Sequence, residues 1–350
     1  MTNVIKVLIV DDSPTLRRLI RAVLETDAGL SVLGEARNGE EALNMCHQLQ
    51  PDIITMDIRM PRMNGFEAIQ RIMSDSPRPI VVLTTTMSDR ELGISFKALD
   101  AGALSVIRKP TGMPGRDPKA DELIRQLKAM ADVKVVRRRW PSGAPATASR
   151  PASPAPSRRP EGRRIELIAI GASTGGPPVV QSILQGLPAD LPVPVVLVQH
   201  ISPGFVEAMA RWLDDTTPVS VKVARSGERL APGVVYLPPD EHHLLVMAGG
   251  KAWLDASPPV DGHRPSVTAL FDSVAEHYGA AATAVLLTGM GRDGATGLKA
   301  IHDAGGRTIA QDEASCVVFG MPRAAAELGA ADEILPPAII AARLKALVRR

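Results

Sequence analysis

A segment of 28 residues divides this chain of 350 residues into two halves. From 137 to 164 the sequence is rich in Pro, Ala, Ser and Arg and shows no periodic apolar pattern. A segment of this composition cannot bury a core and is expected to form an extended linker. The sequence therefore predicts a domain over residues 1–136, a linker over 137–164 and a second domain over 165–350.

Short apolar runs alternate with helical patterns in both halves. In the first half the pattern predicts strands at 4–10, 31–36, 53–56, 80–83 and 103–107, and helices at 14–24, 40–49, 66–73, 90–99 and 121–131. In the second half it predicts strands at 165–170, 194–199, 219–224, 233–237, 243–247 and 283–288, and helices at 177–186, 204–214, 265–278, 295–304 and 339–349.

This alternation is typical of parallel sheets with helices on both faces. The predicted fold class is α/β, with two doubly wound parallel-sheet domains joined by a Pro/Ala/Arg-rich linker. Turn signals at Pro232-Gly233 and Gly249-Gly250 predict an antiparallel β insertion over 219–248 in the second domain.

The net charge of +2 hides an uneven distribution, because the linker carries eight arginines and one glutamate. A solvated linker is the favoured interpretation, and contact with an acidic protein or a nucleic acid is the alternative. The second domain has no helix-turn-helix pattern and no helix with basic residues along one face. Aromatic residues make up 3% of the chain, too few for a base-stacking surface. DNA is therefore not expected as a partner.

The cysteines and apolar runs bear on the cellular compartment. Cys46 and Cys316 fall in different halves without metal-ligand spacing, which favours buried thiols in a reducing compartment. No apolar run approaches the roughly 18 residues of a membrane span. Residues 1–12 lack the flanks of a cleavable signal. We expect a cytoplasmic protein without membrane insertion.

Acidic residues end the first and third predicted strands of the first half. Asp11 and Asp12 follow the first strand and Asp57 follows the third, and in a doubly wound sheet these two strands are neighbours. Three converging carboxylates need a hard cation, for which Mg²⁺ is suited. The cation would leave one carboxylate free to attack a phosphoryl group. Thr85 and Lys109 end the fourth and fifth strands and offer the hydroxyl and the ammonium that a new phosphoryl group could recruit.

Residues 4–131 resemble the receiver domain of two-component response regulators. The resemblance implies that Asp57 is the phospho-acceptor and that Asp11 and Asp12 hold Mg²⁺ with it. It also implies that Thr85 is the switch hydroxyl and that Lys109 contacts the phosphate.

Three reactive side chains follow predicted strands of the second half: Ser173, His200 and Asp293. A hydroxyl, an imidazole and a carboxylate together form an acyl-transfer site. Residues 171–175 also fit the G-x-S-x-G pattern, although the order Ser, His, Asp differs from that of the α/β-hydrolase fold. A glycine loop after a strand can instead bind an anion. A receiver-controlled module that binds a phosphate-bearing ligand without catalysis therefore remains the alternative.

With the receiver in front, the chain resembles the chemotaxis protein-glutamate methylesterase family. The resemblance is carried by the stretches 171–176, 198–200, 264–266, 288–294 and 319–322. It implies a phosphorylation-regulated serine hydrolase that removes methyl groups from glutamyl methyl esters of chemoreceptors and also deamidates receptor glutamines. Chemoreceptors would be the substrate and a chemotaxis histidine kinase the phosphodonor. No cofactor is expected in the catalytic domain.

The resemblance also assigns roles to residues. Ser173 attacks the ester, His200 takes the serine proton, and Asp293 orients His200; Met290, through its backbone N–H, and Thr174 stabilise the oxyanion. Our hypothesis for regulation is that the unphosphorylated receiver packs over the Ser173 loop and that phosphorylation of Asp57 weakens this contact. Simple tethering through the long linker is the alternative.

Overall fold

The computed structural model describes residues 4–85, 96–131, 133, 135 and 164–348. The predicted linker, apart from Arg164, lies outside the described residues, as do residues 90–95 of the predicted helix 90–99. Residues 96–100 of that segment are helical. No helix among the described residues has both the length and the apolar character needed to cross a bilayer.

The first domain follows the predicted alternation closely. Its elements are β1 (Ile5–Val10), α1 (Pro14–Leu24), β2 (Leu30–Ala36), α2 (Gly39–Leu49), β3 (Ile53–Asp57), α3 (Gly65–Asp75), β4 (Ile80–Thr84), β5 (Ser105–Arg108) and α4 (Pro118–Met130). Ser13, Asn38, Asn64 and Asp117 cap α1 to α4, because each side-chain oxygen accepts a hydrogen bond from a backbone N–H of the first turn.

The first sheet has the strand order β2-β1-β3-β4-β5, and every pair is parallel. β1 and β3 are neighbours, as the sequence predicts, so the carboxyl ends of these two strands lie side by side. Almost every residue of the inner strands is buried, since helices cover both faces.

The second domain contains the longer sheet. Its elements are β6 (Leu167–Ala172), α5 (Gly176–Gln185), β7 (Val195–Gln199), α6 (Val206–Thr216), β8 (Ser220–Val223), β9 (Val234–Leu237), β10 (His243–Met247), β11 (Lys251–Asp255), α7 (Val267–His277), β12 (Ala282–Leu286), α8 (Ala295–Asp303), β13 (Arg307–Gln311), α9 (Met321–Glu327), β14 (Glu333–Leu335) and α10 (Pro337–Val348). The seven-stranded order is β14-β13-β12-β6-β7-β9-β8, with all pairs parallel.

The antiparallel insertion exists, but its predicted bounds of 219–248 are wrong. Among the strands that the structure describes, β10 and β11 alone pair antiparallel, as a separate two-stranded sheet. β8 and β9 pair parallel to each other and extend the main sheet. Pro232-Gly233 therefore ends a crossover between parallel strands, whereas the Gly249-Gly250 turn does join an antiparallel pair. A turn signal alone does not distinguish these two connections.

Candidate functional site

The acidic residues of the first domain converge at the carboxyl edge of its sheet. Ligand oxygens of Asp11, Asp12 and Asp57 lie within 4.8 Å of one another. Lys109, which follows β5, places its Nζ 2.7 Å from Asp11 Oδ2 and 3.1 Å from Asp57 Oδ2. A pocket of carboxylate oxygens at this spacing fits a hard divalent cation such as Mg²⁺.

The electrostatics of Asp57 reflect burial in this cluster. Burial raises the pKa of Asp57, the Lys109 ammonium lowers it, and the Asp11 carboxylate raises it, so that the pKa lies above its ordinary value. A divalent cation would counter both raising effects and return the carboxylate to its nucleophilic form.

The switch hydroxyl has two candidates in the structure. Thr85, which the sequence favours, lies one residue beyond β4 and is exposed. Thr84 is the last residue of β4 and is buried, and its carbonyl oxygen accepts the backbone N–H of Lys109. Both residues lie at the carboxyl end of β4, next to the end of β3 that carries Asp57.

In the second domain the strand order brings the three expected residues to one edge of the sheet. Ser173 follows β6, His200 follows the neighbouring strand β7, and Asp293 lies in the loop after β12, the other neighbour of β6. His200 Nε2 lies 2.8 Å from Asp293 Oδ2, with side-chain exposures of 10% and 1%. The imidazole and the carboxylate are therefore paired, largely out of water.

Asp293 is fixed by the start of α7. Ser266 Oγ donates to its Oδ1 at 2.8 Å, and the backbone N–H groups of Val267 and Thr268 donate to Oδ2 and Oδ1 at 2.8 and 2.9 Å. Burial acts to raise the pKa of Asp293, but the hydrogen bond and charge of His200 and the two N–H groups outweigh it. The pKa lies well below its usual range, so the carboxylate stays ionised.

Ser173 is held through its backbone. Gln199 Nε2 donates to the carbonyl oxygens of Ser173 at 2.7 Å and of His200 at 2.9 Å, which ties the two loops together. Two glycines allow close packing around Ser173. A Cβ at Gly176 would lie 2.1 Å from Gln199 Oε1, and a Cβ at Gly289 would lie 2.6 Å from Ser173 Cβ. Both positions therefore require glycine.

The hydroxyl and the imidazole are not hydrogen-bonded to each other. His200 Nδ1 is buried with no hydrogen-bond partner among the described residues, and Ser173 Oγ makes no hydrogen bond there either. Ser173 and His200 line the same cavity. Catalytic hydrogen bonds are often long or poorly aligned in sites without substrate. The missing hydrogen bond between Ser173 and His200 is therefore compatible with a nucleophile and its base.

The expected oxyanion donors flank the serine. Thr174 is buried, Met290 is 38% exposed, and the backbone N–H of each donates to no acceptor within the described part of the chain. The Thr288 hydroxyl donates to the Thr174 carbonyl at 3.0 Å and accepts from the Val318 N–H at 2.9 Å. The loops after β6 and β12 therefore present free donors near the serine.

Sequence reasoning missed the residues that support the carboxylate. Ser266 has a readable signal, since a serine before the apolar start of a helix predicts an N-cap, and it does cap α7. His243 is buried behind Ser266, and its Nδ1 accepts the Ser266 N–H at 3.1 Å. His263 stacks on His200, and nothing in its local sequence indicates this.

The two domains contact each other through aromatic rings. Phe96 of the first domain stacks on Trp212, with ring centroids 5.5 Å apart, and meets Phe205 edge-on at 6.3 Å. Asp100 accepts hydrogen bonds from Gln181 Nε2 at 3.0 Å and from Trp212 Nε1 at 3.3 Å. Phe96 is fully buried, so the interface excludes water at its centre.

Polar contacts between the domains lie next to the His200 loop. Ser202 Oγ donates to both carboxylate oxygens of Glu122 at 2.9 Å, and Arg108 donates to the Pro203 carbonyl. A cavity of about 30 Å³ remains between the domains, lined by Ser173 and His200 on one side and by Glu122 on the other. A cavity of this size can hold an ordered water molecule and is far smaller than an ordinary ligand pocket of roughly 300 Å³ or more.

Comparisons with known proteins agree with this architecture. The CheB methylesterase family model matches residues 168–344, and the response regulator receiver domain model matches residues 7–115. The crystal structure of the Thermotoga maritima CheB methylesterase catalytic domain aligns with a TM-score of 0.51 at 43% identity. The alignment covers 53% of this chain and 99% of the Thermotoga maritima chain.

Full-length relatives share the domain arrangement. Protein-glutamate methylesterase/protein-glutamine glutaminase 4 of Myxococcus xanthus is 47% identical over 352 residues, covering 99% of this chain and 97% of its own length. The protein-glutamate methylesterase/protein-glutamine glutaminase 3 of Anaeromyxobacter dehalogenans is 46% identical, and the alignment covers 99% of this chain and 100% of that protein. The fold and these matches define a response regulator whose second domain is a carboxylic-ester hydrolase. The chain belongs to the CheB methylesterase family.

Proposed function

We propose that this protein is a phosphorylation-regulated serine hydrolase that removes methyl groups from glutamyl methyl esters of chemoreceptors, and that it also deamidates receptor glutamines. The observation that carries this proposal is the buried His200–Asp293 pair in the same cavity wall as Ser173. A cytoplasmic location, with chemoreceptors as substrate and a chemotaxis histidine kinase as phosphodonor, completes the proposal. The 43–47% identity to relatives with both activities in their names supports it.

The hydrolysis follows from the two nitrogens of His200. Asp293 accepts from Nε2–H, which leaves Nδ1 as the basic nitrogen that takes the Ser173 proton. The oxygen of Ser173 bonds to the ester carbon, and the free N–H groups of Thr174 and Met290 stabilise the resulting oxyanion. His200 returns the proton to the departing methoxide, and methanol leaves.

The second half of the reaction regenerates the serine. His200 takes a proton from water, the hydroxide attacks the acyl carbon, and the bond to Ser173 oxygen breaks as that oxygen regains the proton. The products are glutamate and methanol. With a glutamine side chain the same steps release ammonia instead, because the leaving group is an amine rather than an alkoxide.

The receiver controls this site by covering it. Asp57 is the proposed phospho-acceptor; Asp11, Asp12 and Asp57 would hold Mg²⁺, which would supply positive charge to the incoming phosphoryl group. Lys109, already 3.1 Å from Asp57, then contacts the phosphoryl group, together with Thr84 or Thr85. The small cavity and the contacts from Phe96, Asp100 and Glu122 support occlusion over tethering alone.

The direct test of the function is a product measurement. Receptor-bearing membranes with isotopically labelled glutamyl methyl esters are incubated with the full-length protein, Mg²⁺ and a small-molecule phosphoryl donor. We expect labelled methanol, and ammonia from receptors that carry glutamine at the modified positions. Membranes without the protein are the control. Absence of methanol above that control would contradict the proposed activity.

Phe96→Ala is expected to raise the unstimulated rate of methanol release. The substitution removes the ring that packs on Trp212 and Phe205 and leaves the Ser173 loop unchanged. A change of 1–3 kcal/mol in the interface corresponds to about 5–150-fold. Initial rates without phosphoryl donor measure the effect, and the response to the donor should shrink.

Two further variants complete that experiment. Asp57→Asn should keep the low unstimulated rate and lose the response to the donor. Trp253→Ala alters an exposed aromatic residue of β11, outside the interface, and should change neither rate. Equal unstimulated rates for wild type and Phe96→Ala would favour tethering over occlusion.

A further inference from the structure

The ring of His263 lies parallel to the catalytic imidazole. The centroids of the His200 and His263 rings are 3.9 Å apart, and the ring planes differ by 10°. His263 hydrogen-bonds to neither Ser173 nor Asp293 within the described part of the chain. Its direct contact with the reactive side chains is therefore the stack on His200.

The backbone holds His263 in place independently of its side chain. Val260 and His263 exchange two backbone hydrogen bonds of 3.1 and 2.9 Å, with Asp261 and Gly262 at positive φ between them. The side chain is thus free to stack. Three residues further on, Ser266 caps α7 and donates to Asp293. The same short segment therefore positions the stacked ring and the carboxylate.

His200 needs this second constraint. Its Nε2 is held by Asp293, but its Nδ1 has no hydrogen-bond partner within the described residues. A single hydrogen bond fixes one atom and leaves the ring plane free to swing. Because Nδ1 is the proposed base, a swing of the plane moves the atom that must meet Ser173. Misplacement of a catalytic group by about 1 Å can cost on the order of 100-fold in rate.

The charges around His263 determine its protonation state. Burial lowers its pKa first, and the positive charges of His200 and of Arg125 in the first domain lower it further. The carboxylates of Asp293 and Asp261 oppose this, but the pKa stays below its ordinary value. His263 is therefore neutral at neutral pH. A neutral His263 ring can stack on the positively charged imidazolium of His200, whereas a protonated His263 ring would repel it.

We propose that His263 is a positioning residue of this hydrolase, which fixes the plane of the His200 imidazole by stacking and remains neutral while His200 carries the serine proton. The inference rests on the proposed function for its kinetic consequence. The stacking itself has a readout that does not require activity.

The kinetic test compares His263→Ala with His263→Phe in the full-length, phosphoryl-activated protein. Loss of the ring in His263→Ala should lower kcat by about ten-fold, the size of an aromatic pair contact, with KM unchanged. His263→Phe restores a ring and should recover most of kcat. His277→Ala, at the end of α7, is the matched control and should match wild type.

The pH profile separates positioning from a general structural role. In wild type, protonation of His263 should add to the fall of log kcat in acid, below the ordinary pKa of a histidine, because its pKa is lowered by burial. With phenylalanine at position 263 this contribution is absent, so the acid limb should be less steep. Equal acid limbs in wild type and His263→Phe would overturn the proposed neutrality requirement.

Proton NMR of the His200 ring tests the stack without turnover. In a Ser173→Ala background, His263→Ala should shift the His200 ring resonances because the neighbouring ring current is lost. Equal kcat and equal His200 resonances in wild type and His263→Ala would overturn the inference. Failure of the proposed function would give another result: wild type would release no methanol, but His263→Ala would still shift the His200 resonances.

Discussion

Ser173→Ala is expected to lower methanol release by about 10⁵- to 10⁶-fold while leaving the protein folded. The substitution removes the nucleophile, and the oxyanion donors alone cannot form the acyl-enzyme. Ser173 is 9% exposed and its hydroxyl makes no hydrogen bond among the described residues, so the substitution breaks no hydrogen bond of the fold. Single-turnover assays measure the rate, and thermal unfolding checks stability.

The same variant decides between the hydrolase and a phosphate-binding module. A glycine loop that binds a phosphate through backbone N–H groups would bind inorganic phosphate equally well with alanine at 173. Ser182→Ala, an exposed serine of α5, is the matched control and should keep full activity. Turnover by Ser173→Ala within ten-fold of wild type would exclude Ser173 as the nucleophile.

Asp293→Asn is expected to lower kcat by about 10⁴-fold, the loss found when a triad carboxylate becomes an amide. The amide can present N–H to His200, which reverses the donor and leaves the wrong imidazole tautomer. It also removes the negative charge that stabilises the imidazolium. The rate is measured in the full-length protein activated by a phosphoryl donor.

The same substitution has a predictable effect on stability. The pKa of Asp293 is depressed in the folded state, so its ionised form stabilises the fold above the unfolded pKa of about 4. That stabilisation is lost as the pH falls through the folded pKa. The difference in unfolding free energy between wild type and Asp293→Asn should therefore be constant near neutral pH and shrink in acid.

Asp303→Asn provides the control for both measurements. Asp303 is an exposed acid at the end of α8, paired with Lys299 and His302. Its replacement should leave kcat unchanged and alter the acid dependence less than Asp293→Asn does, because water screens exposed ion pairs. A rate for Asp293→Asn within ten-fold of wild type would show that His200 does not depend on this carboxylate.

The alternation of apolar runs and helical patterns was enough to predict both parallel sheets. Buried parallel strands such as β3 and β7 are continuous apolar runs, and these are easy to recognise. Strands with polar ends and very short strands are harder to recognise. β13 begins with Arg307 and ends with Gln311, and β14 has only three residues. Neither was predicted. β8 was predicted as a strand, but its parallel pairing with β9 was not, because the partners of a strand depend on the crossover path rather than on local sequence.

The site was predictable where it follows strand ends, and less so where it depends on tertiary contacts. Ser173, His200 and Asp293 each follow a strand, so neighbouring strands bring them together. His263 reaches its position through a hairpin whose direction no periodic pattern encodes. The sequence also could not separate Thr84 from Thr85 as the switch hydroxyl, because the choice depends on which of the two residues ends β4.

The order of the strands has a steric consequence for access. His200 and Asp293 come from strands on opposite sides of β6, so their 2.8 Å hydrogen bond joins two loops whose strands lie roughly 10 Å apart, two inter-strand spacings. This pair therefore links the loops on either side of the serine loop, and Gly289 packs against Ser173. All three reactive side chains stand at one edge of the sheet. A neighbouring domain that covers this single edge is then sufficient to turn the enzyme off.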